Sequence, residues 1–209
     1  MSEEVSRRAL FSRLLGRGGG DGAEPTAART AAPRQPEPAA AAPEPSPPRP
    51  RTIPVLRPPK AIEEHAFLAG CTRCNACVAA CPPKAIVLAP ERFRAAAGTP
   101  MIDPHRQPCL LCDGLPCVQA CEPGVLARDL PVAMGRAAIL PPQCLNRLGT
   151  TCTVCAERCP VPGALTMRGG MPVVDDATCT GCGVCHFACP APTPAILILA
   201  ALDRPSRPA

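Results

Sequence analysis

Apolar positions along this chain fall in short, evenly spaced runs rather than in long helical stripes. From about Glu63 onward, brief apolar stretches alternate with polar loops that carry cysteine. Residues 99–103, 137–140 and 171–175 lead into such loops, and residues 85–88, 124–127, 164–167 and 195–199 leave them. Runs this short, bounded by Gly and Pro, read as strands. Each unit is therefore expected to run strand, loop, short helix carrying the last cysteine, strand. A proline at or just past that cysteine should end the helix, because it fixes φ and removes a donor. The longest apolar run, 195–202, reads as a buried strand and is far short of the roughly 20 residues of a membrane span.

The loops set a period. Their first cysteines are Cys71, Cys109, Cys144 and Cys179, at intervals of 38, 35 and 35 residues, which marks an internal repeat. The region before them follows a different pattern. Residues 1–20 form a short basic segment in which Val5, Leu10, Leu14 and Leu15 would share one face of a helix. Residues 21–60 are rich in Pro and Ala, with twelve prolines from Pro25 to Pro59. That composition buries too little surface to fold and is expected to be a disordered, extended linker. The expected organisation is thus a terminal segment (1–20), a linker (21–60), a cysteine-repeat domain (61–202) and a disordered tail (203–209).

Composition sharpens this picture. The 209 residues include no Trp or Tyr and only four Phe, so the large side chains that usually fill an interior are missing. A core this poor needs cross-links or inorganic clusters. The sixteen cysteines are the obvious source. Disulfides would suit the even count but not the regular spacing. The formal charge of +5 assumes thiols without metal. Four oxidised [4Fe–4S] centres at about −2 each would turn it to roughly −3. Nothing resembles the basic, aromatic-laced stripe of a nucleic-acid binder. Ser6-Arg7-Arg8-Ala9-Leu10-Phe11 resembles a twin-arginine export signal, but no apolar segment of about 7–15 residues follows. A cytoplasmic location is expected.

The four groups carry the chemistry. The first is Cys71, Cys74, Cys77 and Cys81, followed by Pro82, and the fourth is Cys179, Cys182, Cys185 and Cys189, followed by Pro190. In both, three cysteines two residues apart precede a fourth after three more, which is the bacterial ferredoxin run. The second group, Cys109, Cys112, Cys117 and Cys121, and the third, Cys144, Cys152, Cys155 and Cys159, keep four cysteines with longer internal gaps. Three close thiolates can wrap three corners of a [4Fe–4S] cubane, while the fourth serves a partner cluster. Structural zinc prefers two well-separated Cys-x-x-Cys pairs, a poorer match. All sixteen cysteines are therefore candidate ligands, for four [4Fe–4S] clusters. Cys182-Gly-Val-Cys185-His186 also matches a haem attachment pattern, but using it would break a complete thiolate set. His186 is expected on a helix surface, and His65 and His105 in solvated loops. No catalytic triad, carboxylate pair or phosphate-cradling loop is found; Gly18–Gly20 lacks the Gly-Lys-Ser/Thr of a P-loop.

With these residues in view, the chain resembles the ferredoxin-type accessory proteins of periplasmic nitrate reductase systems, the NapF and NapG/MauM type. The resemblance covers roughly residues 63–200 and includes the Cys71-Thr-Arg-Cys74 opening and the Cys144-Leu-Asn start of the third group. The short arginine-bearing start looks like NapF, and the longer gap in the second group looks like NapG. Similarity to four-cluster subunits implies nested pairing. Cys189 would then join Cys71, Cys74 and Cys77, and Cys81 would join the fourth group. Cys159 would join the second group and Cys121 the third. Sequential pairing, first group with second and third with fourth, is the rival that sequence alone barely separates.

The fold class expected is α+β, as tandem ferredoxin-like units forming two double-cluster modules. The function expected is single-electron transfer to or from a redox protein partner, without substrate turnover. The resemblance implies a nitrate reductase or similar molybdoenzyme system, whose catalytic subunit or membrane-associated quinol-oxidising complex would be the partner. A maturation factor for a molybdoenzyme and a subunit of a larger oxidoreductase are the alternatives. No nucleic acid and no membrane span are expected.

Overall fold

The computed structural model describes residues 53–206. The basic segment over 1–20 and most of the proline-rich stretch lie outside the described residues. The chain divides into two units, Met1–Pro48 and Arg49–Ala209, and everything below concerns the second.

Five short α-helices and six strands appear in this order: α1 (Glu64–Gly70), α2 (Ala76–Ala79), β1 (Ile86–Leu88), β2 (Pro100–Ile102), α3 (Pro116–Gln119), β3 (Gly135–Ile139), α4 (Val154–Glu157), β4 (Leu165–Arg168), β5 (Met171–Val174), α5 (Val184–Phe187) and β6 (Ile196–Ala200). Each strand pairs once, antiparallel: β1 with β2, β4 with β5, and β3 with β6. In the second half the outer strands β3 and β6 thus close around the β4–β5 hairpin. The first half has the same order in reduced form. Its β1–β2 hairpin lies between Ala61 and Leu126, which meet in an isolated antiparallel bridge. The content is mixed helix and strand.

The strands follow the expected apolar runs, except that residues 124–127 contribute only the Leu126 bridge and that the run over 195–202, expected as a buried strand, forms β6 only to Ala200 and leaves Leu197 and Leu199 exposed. One expected detail is corrected. The short helices carry the third cysteine of each group, Cys77, Cys117, Cys155 and Cys185. The fourth cysteine follows just past each C-cap, because a single turn of four residues is exhausted before it. Helix α1 was not legible as a helix. Its start is capped by Glu63, whose carboxylate accepts from the Ala66 amide at 2.6 Å, and it buries Phe67 completely.

Two boundaries also move. Val55 and Leu56 are buried and Arg57, Pro58 and Pro59 fully so, so the expected linker ends inside the folded unit. The cause is the Arg57 guanidinium. It is ion-paired with Glu64, donates to Thr99 Oγ1 at 2.6 Å and to the Pro100 carbonyl at 2.9 Å, and lies 4.3 Å from the Phe67 ring centre. Two residues of the expected tail are likewise held: Arg204 is buried and donates to Glu64 at 3.0 Å, and the Glu63 amide donates to the Pro205 carbonyl at 3.1 Å.

Cysteine takes the place of missing large side chains in the interior. Cys77, Cys81, Cys109, Cys117 and Cys182 sit in the main apolar cluster with Phe67, Ile86, Ile102 and Leu126.

Candidate iron–sulfur centres

All sixteen cysteines are free thiols within the described residues, and the fold gathers them into four sets. Cys159, Cys179, Cys182 and Cys185 face one gap, Cys81, Cys109, Cys112 and Cys117 a second, and Cys144, Cys152, Cys155 and Cys189 a third. Of the remaining four, Cys77 lies in the main apolar cluster with Cys71 and Cys121 packed against it, and Cys74 is exposed. Three thiols of each set come from one loop. The remaining one comes from the other loop of the same half.

In these three gaps the outlying thiol lies as sequential rather than nested pairing would have it: Cys81 beside the second group, Cys159 beside the fourth and Cys189 beside the third. The physical reason is strand pairing. Closing β6 on β3, five residues against five, brings residue 189 back to the loop that follows β3. The Ala61–Leu126 bridge does the same for Cys121 and the loop of Cys71.

Local geometry prepares each loop. The residue two before the third cysteine is left-handed in three of the four: Asn75 at φ 64°, Leu115 at φ 45° and Gly183 at φ 90°. The extra residues of the second group are absorbed before Leu115, so Cys117 keeps the position that Cys77 has. In the third group the seven-residue gap is closed by Asn146, whose amide donates to the Cys152 carbonyl at 2.5 Å and accepts from the Cys152 amide at 2.8 Å. Gly181 sits where an added Cβ would come within 2.4–2.6 Å of the Gly135 backbone, so the fourth loop can press directly on β3.

The donor chemistry fits a [4Fe–4S] group. The three gaps are walled by cysteine and mostly apolar residues, with no imidazole or carboxylate. Backbone amides donate to four sulfurs: Ala85 to Cys81 at 3.3 Å, and Leu126 to Cys121, Ala137 to Cys179 and Ala195 to Cys189 at 3.4 Å each. Such bonds favour thiolate over thiol and are what tunes a bound cluster. Among the described residues, no three Cys, His, Asp or Glu converge closely enough for a single metal ion.

Without metal these thiols resist ionisation. Burial pushes Cys77 and Cys109 up to about 11 and Cys117 and Cys185 up to about 12, with neighbouring cysteine sulfurs adding to the effect. Burial also raises Cys155 and Cys182. Exposed Cys74 is the exception, lowered by the Ala76 amide and then the Thr72 hydroxyl.

The halves meet at cysteine. The Cys109 amide donates to the Cys182 carbonyl at 2.9 Å, which sets the Cys109 set beside the Cys179 set. Beside that junction the expectation for His186 fails, while His105 is exposed in a loop as expected and His65 is exposed on α1 rather than in a loop. His186 is buried, with Nδ1 at 2.5 Å from the Ile196 carbonyl and Nε2 at 3.0 Å from Nδ1 of the exposed His105. The single turn of α5 buries both Cys185, toward the thiol gap, and His186, toward the Ile196 carbonyl, and no spacing rule signals that. Among the described residues, no helix is long and apolar enough to cross a membrane.

Residues 70–125 match the 4Fe-4S dicluster domain family, a span that takes in the first two cysteine groups together. The methylamine utilization ferredoxin-type protein MauM of Paracoccus denitrificans (strain Pd 1222) is 40% identical over 148 residues, 64% of this chain and 66% of its own. The ferredoxin-type protein NapG of Escherichia coli (strain K12) is 38% identical over 161 residues, 69% of this chain and 70% of its own. The ferredoxin-type protein NapF of the same organism is 31% identical over 146 residues, 65% of this chain and 80% of its own. No solved structure matches the chain.

Proposed function

The chain belongs to the ferredoxin-type iron–sulfur proteins of the MauM, NapG and NapF family, and from that premise we propose that it carries four [4Fe–4S] clusters and passes single electrons between redox partners. The observation that carries the proposal is the sorting of sixteen thiols into four sets of four. In this reading each half is a ferredoxin-like double-cluster module and all sixteen cysteines are ligands. A bound cluster supplies one-electron chemistry at a potential set by its surroundings. The chain's own part is to hold the thiolates, exclude water from them and supply amide donors to sulfur.

The Cys109–Cys182 hydrogen bond joins the two halves at one pair of thiol sets, and exposed Cys74 would give a partner access to the Cys71 set. The protein has no turnover of its own in this reading. It serves an oxidoreductase system, of the nitrate reductase kind that the sequence suggested or the methylamine-utilization kind that MauM is named for, from the cytoplasm. The test is iron and acid-labile sulfide analysis of anaerobically purified full-length protein. Four of each per cluster, for four clusters, are expected. Zinc in their place, or iron enough for one cluster only, would refute the reading.

A further inference from the structure

Among the described residues, strand β6 pairs with β3 on one edge and has no strand on the other. The bonds just beyond the ladder set its phase. The Leu140 amide donates to the Ala195 carbonyl at 2.7 Å, and the Ala201 amide to the Met134 carbonyl at 2.9 Å. Antiparallel pairs alternate between bonded and unbonded residues. Leu197 and Leu199 therefore turn their backbone groups to β3, and Ile196, Ile198 and Ala200 turn theirs away. The residues opposite agree: Gly135 and Ala137 direct their amides away from β6, to the Thr180 carbonyl and the Cys179 sulfur.

This outward edge is occupied at one end only. The Ile196 carbonyl meets His186 Nδ1 at 2.5 Å. Among the described residues, the amides and carbonyls of Ile198 and Ala200 have no partner on that side. A bare sheet edge is a template for another strand. This one lines a broad groove, in which Ile198, Leu199, Ala200 and Leu202 come from the second half and Leu56, Met101 and His105 from the first. Leu199 and Leu202 are exposed. A single extended segment can enter such a groove, whereas a second copy would have to bring its own recessed β6 edge to it. The charges of the groove indicate what the segment carries. Arg136 has Asp176 at 3.2 Å, and Asp103 accepts from the His105 amide at 3.1 Å. Arg92 also lines the groove, is exposed, and has no carboxylate among the described residues.

We propose that this groove binds an extended apolar segment of a protein partner by strand addition to β6, with a carboxylate of that segment on Arg92. The main chain of the segment bonds to Ile198 and Ala200, and its alternate side chains rest on the apolar lining, Leu199 and Leu202 included. Cys179 lines the same groove, so a partner anchored here stands beside one of the thiol sets. The recognition chemistry itself does not depend on what those thiols hold.

The experiment presents full-length, anaerobically purified protein to a phage-displayed library of random heptapeptides. The enriched peptides are then synthesised and titrated by fluorescence anisotropy, with iron analysis on each protein. Enrichment of apolar residues at alternate positions, with Asp or Glu toward one end, is expected. Ala200→Pro removes an outward donor and no bond to β3, at an edge position where proline is tolerated. It should weaken binding about tenfold, the worth of one hydrogen bond, at unchanged iron content. Arg92→Glu should abolish the preference for the acidic residue. Failure to enrich any sequence, or equal binding by wild type and Ala200→Pro, overturns the proposal and leaves the ligand reading intact. Self-association that Ala200→Pro abolishes would assign the edge to a second copy and overturn it too. Should Ala200→Pro lose iron, peptides N-methylated at alternate residues test the same bonds with the protein unaltered, and undiminished binding overturns the proposal.

Discussion

At Cys117 and Cys185, burial first and neighbouring cysteine sulfurs second push the thiol up to about 12, and burial with the Cys121 charge takes Cys77 to about 11, against an ordinary value of 9.0. A group raised on folding contributes stability that is complete below its unfolded value and is lost as pH climbs through its folded one. The cluster-free fold should therefore hold a constant thermal midpoint up to about pH 9 and lose stability between there and about pH 12. The loaded protein should not show this window, because its ligands are thiolates throughout and their protons leave on assembly. Circular dichroism melts of both forms across that range decide it, and identical pH profiles would contradict the burial of these thiols. The identity of these sixteen residues as candidates was legible, since thiolate spacing is a local property. The state of each was not, because it depends on which distant strand covers the loop. Nothing in Cys182-Gly-Val-Cys185-His186 shows that the imidazole turns inward to the Ile196 carbonyl.

Among the elements, the segment before α1 departs most from its sequence pattern. Arg-Pro-Pro reads as linker, yet Arg57 is wholly buried beneath α1, and Glu64 neutralises both it and Arg204. Glu64→Ala leaves two buried guanidinium groups without their carboxylate, the situation in which a broken ion pair costs about 3–5 kcal/mol. The exposed pair Arg136–Asp176, at 3.2 Å with side chains 54% and 63% exposed, is the comparison. Arg136→Ala should cost about 0–1 kcal/mol, as solvated pairs do. Denaturant midpoints of the loaded proteins measure the difference, and equal midpoints would mean that water reaches the Arg57 site. Most strands, by contrast, were readable, because short apolar runs between Gly and Pro leave the chain few other ways to bury them. The helices were misplaced by a few residues, since a single turn has no apolar periodicity to announce it.

For the whole molecule, the undecided matter was which loop lends its fourth thiol to which. Nested and sequential pairings use the same cysteines at the same spacings, so ligand pattern alone has no power between them. Long-range strand pairing favours the sequential one. β3 against β6, and Ala61 against Leu126, fold each half back on itself before the halves meet. The signal available in sequence was weak: residues 137–140 and 195–199 are both apolar enough to pair, but so are several other runs. The consequence can be tested without dividing the chain. In Cys189→Ala, Cys144, Cys152 and Cys155 should become open to alkylation in the native, anaerobic protein, while Cys71, Cys74 and Cys77 stay protected by their cluster. Cys121→Ala should reverse the pattern. Peptide mapping by mass spectrometry reads both. Nested pairing requires the opposite result for Cys189→Ala, with the Cys71 loop exposed. Because each substitution removes one thiol from the edge of one set and leaves the strand pairings untouched, the labelling pattern reports the pairing itself rather than a general loosening of the fold.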